Sequence, residues 1–288
     1  MMWLRAAFWT FAAKGVQGVP VSGSRILCAR VRFRRTEGRV ADFADRTHFV
    51  KKCYFVSDLH LFARRSQAER HLERLEQAAS QANRFVLGGD IFDFRWAAAS
   101  SALAVQEAVG WLEKLLRNYP NCQFHFVVGN HDHHWGFLCR LDGLAEKYSN
   151  FHWHPYYLRL GEHIFLHGDA AERRMTPERL AAYRIRWHYR PRRGRLMNRL
   201  YDLFVASRLP RALGPLVYPK RRVARRILAY LRRIGHGPEQ GVRHVYFGHI
   251  HRGFSDYRYR GLVFHNSGAP LRGHRFRLLE IPWKEREF

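Results

Sequence analysis

Seven side chains that can bind a metal ion come directly after short apolar runs of the sequence. They supply carboxylate, amide or imidazole ligands and include no sulfur: Asp58, His60, Asp90, Asn130, His167, His249 and His251. The carboxyl ends of the strands in an α/β sheet meet at one edge, where the loops vary freely and ligands bind. We therefore expect these seven side chains to lie together.

The ligand types indicate what chemistry such a group could perform. Seven oxygen and nitrogen ligands are too many for one tetrahedral zinc ion, and they suit a pair of divalent ions in five- or six-fold coordination. Two ions about 3.5–4 Å apart can bind both the attacking and the leaving oxygen of a phosphoryl displacement. A single Asp-x-His or His-x-His pair is more often a solvated or core pair, but the ordered set of segments favours a two-metal phosphoester hydrolase.

The elements that must position these residues are apolar runs that alternate with helical periods, which predicts an α/β fold. Ser66 and Glu69 stand three residues apart and predict a capping box at the start of one helix. Residues 101–118 carry an apolar stripe that predicts a second helix. Residues 156–166 predict a hairpin that leads into the segment of His167.

Composition limits the class of protein and of partner. A hydrophobic fraction of 47% excludes a disordered chain, and a formal net charge of +26 indicates a partner rich in phosphate or carboxylate. No apolar run reaches the ~20 residues that a membrane-spanning helix needs. Residues 1–47 show no sustained period, and we interpret them as a poorly specified N-terminal extension that a start codon assigned too far upstream would explain. Residues 48–288 then form the catalytic domain.

Residues 171–240 differ in character from the rest of the domain. Between residues 172 and 233 there are 19 arginines and lysines against three acidic residues, with aromatic residues among them. Apolar stripes at helical spacing contain Leu200 and Phe204 in one stretch, and Val223 and Ile227 in another. We interpret this segment as a basic helical insertion, or cap, within the domain; a merely solvated basic face is the alternative.

The chain resembles the calcineurin-like metallophosphoesterase superfamily over about residues 48–267, in five segments: Asp58-x-His60, Gly89-Asp90-x-x-Asp93, Gly129-Asn130-His131-Asp132, His167 and Gly248-His249-x-His251. The resemblance implies an α/β fold built as a four-layer αββα sandwich. It implies two divalent ions, one held by Asp58, His60, Asp90 and His251 and the other by Asp90, Asn130, His167 and His249. Asp90 would bridge the two ions.

The resemblance also implies roles for residues near the ligands. In the superfamily the histidine that matches His131 faces the substrate, where it stabilises charge or protonates the leaving oxygen. Asp132 is assigned to the catalytic group with it. Asp132 and Asp93 are expected to orient histidines through hydrogen bonds, with a turn cap as the alternative role of Asp132. Asp169 is expected to support the ligands in the same way or to shape a turn.

Within the superfamily, the basic insertion between the segments of His167 and His249 makes the chain similar to the UDP-2,3-diacylglucosamine diphosphatases of lipid A synthesis. The similarity implies manganese, with iron or zinc as alternatives. It implies a phosphorylated, lipid-linked substrate and a cytoplasmic protein that is peripheral on the inner membrane. Members of that family often have arginine where this chain has His131. The candidate substrate-binding residues are Arg184, Trp187, Leu200, Phe204, Arg221, Arg222 and Arg225.

Two other functions fit the same residues. A phosphodiesterase or nuclease acting on nucleic acid or nucleotides would use the basic, aromatic insertion to follow a phosphate backbone. A binding module on an inactive scaffold is the other alternative, although the intact ligand set and His131 argue against it.

Overall fold

Two five-stranded sheets form the centre of the domain. The structure is a computed structural model that describes residues 51–191, 193–207 and 216–283, so the extension predicted over residues 1–47 lies outside the described residues. In the first sheet the spatial order is β10-β1-β2-β3-β4. Strands β1 to β4 are parallel and β10 is antiparallel to β1. Their bounds are, from β1 to β4 and then β10, Lys51–Val56, Arg84–Leu87, Gln123–Val127, Phe151–His154 and Leu279–Trp283.

The second sheet has the spatial order β5-β6-β7-β9-β8. Strands β6, β7 and β9 are parallel, while β5 and β8 pair antiparallel at the two edges. The hairpin predicted over residues 156–166 is present as β5 and β6. The bounds, from β5 to β9, are Tyr157–Leu160, His163–Leu166, His244–Phe247, Phe254–Tyr259 and Leu262–Asn266.

Three helices pack on the outer face of the first sheet, and the described part of the insertion contains three further helices with defined bounds. The first three are α1, α2 and α3, with bounds Leu72–Gln81, Ser101–Asn118 and Trp135–Lys147. The insertion contains α4, α5 and α6, with bounds Pro177–His188, Arg195–Ala206 and Lys220–Arg233. Within the described residues, three short 3-10 helices cover Ala68–His71, Asp169–Ala171 and Pro238–Gln240. The predicted four-layer αββα arrangement with a basic helical insertion is confirmed.

Alternation along the strands produces three apolar layers. In β3, Phe124 and Phe126 point to the core beneath α1–α3, while Val127 points to the layer between the sheets. In β6, Ile164 joins the core beneath α6 and Phe165 joins the layer between the sheets. Burying one such side chain contributes about 1.5–3 kcal/mol, so each sheet is fixed from both faces.

Some helix signals behave as predicted, and others do not. Helix α2 begins after Ser100, whose side chain accepts a hydrogen bond from the Leu103 N–H. The predicted capping box is wrong, because Ser66 Oγ instead donates to the Leu59 carbonyl and accepts from the Ala68 N–H. Ser66 thereby ties the loop after β1 to the start of the 3-10 turn.

The two apolar stripes of the insertion have different environments. On α6, Val223, Ile227 and Leu231 are buried against the second sheet, so this stripe is core packing. On α5 the stripe faces outward, and its leucines are half to two-thirds exposed. In the part of the chain that the structure describes, no helix is long and apolar enough to cross a membrane.

Candidate metal centre

The predicted ligands lie on the loops that follow β1, β2, β3, β6 and β7, at one end of the two sheets. Five of them have a positive φ: Asp58 at 55°, His60 at 48°, Asp90 at 52°, His249 at 68° and His251 at 51°. A left-handed backbone costs a residue with a Cβ about 1–3 kcal/mol and persists only where surrounding contacts impose it. Backbone strain is therefore concentrated at these ligands.

Backbone hydrogen bonds hold the loops against each other. The Asp58 N–H donates to the Gly89 carbonyl, and the His60 N–H donates to the Asp90 carbonyl, each at 2.9 Å. The His249 N–H donates to the Asp58 carboxylate at 2.9 Å, across the two sheets. These bonds explain how residues far apart in the sequence reach one site.

Two glycines make room for the carboxylates. A Cβ on Gly129 would collide with the Asp90 carboxylate, and a Cβ on Gly248 would collide with that of Asp58. Glycine is required at both positions because the backbone passes directly beside a charged oxygen.

One group of ligands consists of Asp58, His60 and His251. The Nε2 atoms of His60 and His251 lie 3.0 Å apart. Asp58 Oδ1 is 3.5 Å from His251 Nε2 and 4.0 Å from His60 Nε2. Two ring nitrogens and a carboxylate oxygen thus converge on one point.

A second group consists of Asp90, His167 and His249, and the Asn130 side chain joins it. His167 Nε2 is 3.2 Å from Asp90 Oδ2, 3.1 Å from Asn130 Oδ1 and 3.2 Å from His249 Nδ1. Asp90 also groups with His60 and His131. Asp90 therefore lies between the two groups, where a bridging ligand is expected.

The outer nitrogens of three histidines face groups that can only accept a hydrogen bond. His60 Nδ1 is 3.3 Å from Asp93 Oδ2, His167 Nδ1 is 3.3 Å from the Gly88 carbonyl, and His249 Nε2 is 2.8 Å from Glu172 Oε1. The outer nitrogen must carry the proton, which leaves the lone pair on the inner nitrogen. This is the tautomer that a metal-binding histidine needs.

Electrostatics support the same assignment. Burial by itself raises the pKa of Asp90, but the neighbouring His167 and His131 bring it well below its ordinary value. Burial by itself lowers the pKa of His167, but Asp90, together with Asp58 and Asp169, raises it to about 9. A buried carboxylate that stays ionised beside a protonated histidine attracts a cation, and a divalent metal ion would replace that proton, so these residues fit divalent metal ions.

His131 lies beside the ligand groups and faces the insertion. Its backbone N–H donates to Asp90 Oδ1 at 2.7 Å, and its Nδ1 is 2.9 Å from Asp93 Oδ1. Burial lowers the pKa of His131, but Asp93 and Asp90 raise it above the ordinary value. Its ring centroid is 4.6 Å from that of Trp187. His131 can therefore carry a proton at the side of the ligand groups that faces the insertion.

The match to known proteins decides the family. The family model described as calcineurin-like phosphoesterase matches residues 51–253. This chain belongs to the calcineurin-like phosphoesterase family. It is a metal-dependent phosphoesterase, a hydrolase of phosphoester bonds.

Two solved structures are similar to this phosphoesterase. The phosphopantetheinyl hydrolase from Mycobacterium tuberculosis has 14% identity, with 78% of this chain and 92% of that chain covered and a TM-score of 0.40. A dimetal phosphatase from Danio rerio has 14% identity, with 77% and 88% covered and a TM-score of 0.42. No curated protein matches the chain.

Asp132 has the turn-cap role, which was the alternative to orienting a histidine. Its Oδ2 accepts from the N–H groups of Asp90 and Gly129 at 2.6 and 2.9 Å, and its Oδ1 accepts from the Phe92 N–H at 2.8 Å. Asp132 is fully buried and orients no histidine, so it fixes the phosphoesterase's ligand loops as a turn cap. Asp93, in contrast, contacts both His60 and His131, as expected.

Asp169 and Arg184 contact each other, and this contact changes the roles predicted for both residues. Asp169 was expected to support the ligands or to shape a turn, and Arg184 to bind substrate, but the two form a buried ion pair. Arg184 Nε and Nη2 donate to Asp169 at 2.7 and 3.1 Å, and Arg184 Nη1 donates to the Pro155 carbonyl. With these donors engaged, Arg184 ties α4 to the second sheet and is not available to a substrate.

The other candidate substrate residues are distributed over the insertion. Trp187 packs on His131, Leu200 is 52% exposed on α5, and Phe204 packs on Tyr201. Arg221, Arg222 and Arg225 are exposed on α6. The structure thus brings Trp187 to the metal centre, whereas substrate binding by the others stays a prediction.

Glu172 is a site residue that the sequence did not reveal. Besides its contact with His249, it accepts a hydrogen bond from the Tyr218 hydroxyl at 2.6 Å. Its one signal was its position as the first acidic residue after Asp169, at the start of an otherwise basic insertion.

Proposed function

We propose that this phosphoesterase cleaves a phosphoester or pyrophosphate bond in a lipid-linked substrate, such as a UDP-2,3-diacylglucosamine, with manganese as the metal. The observation that carries the proposal is an apolar row on the outer side of α5. Leu196, Leu200 and Leu203 are 70%, 52% and 68% exposed. Their spacing places them on one side of the helix.

The row is joined to the metal centre by packed contacts. Tyr201 of α5 stacks on Trp96 at 4.9 Å between ring centroids, and Arg65 contacts Asp202 at 3.3 Å. The Trp96 N–H donates to Asp93 Oδ1. Asp93 in turn contacts His60 and His131. A lipid chain bound along α5 would therefore be held close to the hydrolytic site.

Charge around the row suits an anionic lipid surface. Arg195 and Arg199 lie on the same helix and are exposed. Apolar side chains beside arginines are typical of a helix that lies at a membrane interface. We accordingly propose a cytoplasmic enzyme that is peripheral on an anionic membrane.

The residues of the centre would divide the work of hydrolysis. Asp58, His60, His251 and Asp90 would hold one divalent ion, and Asp90, Asn130, His167 and His249 the other. The ions would supply Lewis acidity and an activated water. His131, oriented by Asp93, would donate its proton to the leaving oxygen. Asp132 keeps the loops in place.

A nucleic-acid substrate is the second candidate, and the placement of the aromatic residues makes it weaker. A single-strand platform needs exposed aromatic faces on which bases can stack. Tyr183 is buried, Tyr201 stacks on Trp96, and Tyr218 is bonded to Glu172. Tyr189 is the widely exposed aromatic residue of the described insertion, at 79%.

The test compares three substrates with manganese present: UDP-2,3-diacylglucosamine, single-stranded DNA and bis-p-nitrophenyl phosphate. The double variant Leu200→Gln, Leu203→Gln should lower kcat/KM for the acylated substrate at least ten-fold and leave the soluble diester unchanged. Leu103→Gln is the matched control, because Leu103 is 46% exposed on α2. The lipid proposal would be contradicted if the double variant and wild type hydrolysed short-chain and long-chain substrates at equal rates. Preferred cleavage of DNA would also contradict it.

A further inference from the structure

Two arginines flank Trp187, next to the metal centre, and a third arginine lies beside one of them. The guanidinium carbons of Arg95 and Arg190 lie 5.0 and 4.4 Å from the centroid of the Trp187 ring. Arg193 joins them, because its backbone N–H donates to the Arg95 carbonyl at 3.0 Å. These residues come from the loop after β2 and from the α4–α5 connection.

The positive charges of this cluster repel one another. Burial and, after it, the charges of Arg193 and Arg190 lower the pKa of Arg95 to about 10, although the charge of Asp93 acts in the opposite direction. Among the described residues, neither Arg95 nor Arg193 forms an ion pair. The nearest carboxylate, Asp93, is already engaged by His131, His60 and the Trp96 N–H.

Several donors of the cluster also lack acceptors. Arg95 Nε, Arg193 Nε and Trp187 Nε1 are buried without a hydrogen-bond partner in the described part of the chain. Buried donors without acceptors are rare in folded proteins because each is costly to desolvate. Three such donors beside clustered guanidinium groups are the complement of an anion with several oxygens.

The cluster lies on the side of the site where a leaving group would depart. Trp187 packs directly on His131, at 4.6 Å between ring centroids, and His131 is the proton donor of the proposed reaction. An anion held at Trp187 would therefore lie beyond the scissile bond.

We propose that Arg95, Arg193 and Trp187 form a subsite for a second anionic group, a phosphate or a carboxylate, carried covalently by the leaving group of the substrate. The substrate class is then a phosphoester with two neighbouring anionic groups, as in a nucleoside diphosphate sugar. The proposal rests on the proposed function, because it places the scissile phosphate at the metal centre.

The experiment measures kcat/KM of the manganese-loaded protein for two soluble substrates. UDP-glucose carries a second phosphate on its leaving group, and the p-nitrophenyl ester of thymidine 5′-monophosphate does not. Arg193→Gln and Trp187→Phe should lower kcat/KM for UDP-glucose about 10- to 100-fold and for the ester by a much smaller factor. Arg193→Lys should recover part of the loss, and Arg140→Gln, which removes an exposed charge on α3, should change neither value.

A binding measurement tests this proposal independently of the proposed function. Isothermal titration calorimetry with methylenediphosphonate should give a Kd about 10-fold higher for Arg193→Gln than for wild type or Arg140→Gln. If wild type hydrolyses neither soluble substrate nor UDP-2,3-diacylglucosamine but this difference holds, the subsite stands and the proposed function fails. If Arg193→Gln lowers kcat/KM for both substrates by the same factor, the subsite is wrong. The subsite is also wrong if the diphosphonate Kd changes equally in Arg193→Gln and Arg140→Gln. Activation of ester hydrolysis by inorganic phosphate would show that the cluster takes a free anion, which would overturn covalent attachment.

Discussion

Glu172 Oε1 accepts a hydrogen bond from His249 Nε2 at 2.8 Å, and this contact joins the basic insertion to the metal centre. Burial raises the pKa of Glu172, but the hydrogen bond to His249, the charge of His249 and the hydrogen bond from Tyr218 together lower the pKa overall. The carboxylate is therefore charged and keeps His249 Nδ1 directed at the second ligand group.

This contact predicts that Glu172→Ala weakens binding of the metal at the second group about 10- to 100-fold, because a ligand histidine loses the acceptor that orients it. Metal content at fixed chelator concentrations measures the change. Glu178→Ala is the control, because Glu178 is exposed at the start of α4. Unchanged metal affinity in Glu172→Ala would show that His249 is oriented by other contacts.

Asp90→Asn should lose both metal ions and nearly all activity, because one substitution removes a charged ligand that lies between the two groups. Asp58→Asn should weaken one ion first. Metal analysis of the purified variants, with exposed Asp256→Asn as the reference, measures this. Two ions per chain and normal turnover in Asp90→Asn would rule out the bridging role.

His131→Ala should retain metal while kcat falls about 10²- to 10⁴-fold, the usual scale for a positioned proton donor. Asp93→Asn should reduce kcat as well, because Asp93 raises the pKa of His131, and the alkaline limb of the rate profile should move to lower pH. Loss of metal in parallel with rate in His131→Ala would instead make His131 a ligand, as its grouping with His60 and Asp90 allows.

Arg184→Met should destabilise the fold by about 3–5 kcal/mol, because it leaves the buried Asp169 carboxylate without its partner. Denaturant unfolding at constant metal concentration measures the change. Arg232→Met is the matched control: its partner is Glu239, and both side chains are about half exposed, so a loss below about 1 kcal/mol is expected. Equal losses in the two variants would contradict a structural role for Arg184.

Buried histidines should make the fold sensitive to acid. Burial lowers the pKa of His125 to about 3 and that of His265 to about 4. The unfolded chain, with histidine pKa values near about 6.5, binds more protons between these limits, so stability is lost as pH falls from about 6.5 toward 4. His125→Phe should flatten the dependence of Tm on pH in this window. Replacing the exposed His152 by glutamine should leave this dependence unchanged. If His125→Phe shows the same dependence of Tm on pH as wild type, His125 is not a source of the acid sensitivity.

The sequence alone determined the elements whose signals are local. The 101–118 helix, the hairpin before His167 and the order of ligand segments were all predictable, because periodicity and turn residues act over a few positions. The ligand set was recognisable for the same reason, since each member directly follows its strand.

Tertiary structure decided which polar groups meet across long separations. Arg184 could have bound substrate, but packing of α4 on the second sheet brings it to Asp169. Glu172 reaches His249 across 77 residues of sequence, and no local pattern encodes that pairing. Likewise the stripes of α5 and α6 have similar spacing, yet Ile227 is buried and Leu200 is exposed. Periodicity fixes which side of a helix is apolar, whereas only the path of the whole chain decides what that side contacts.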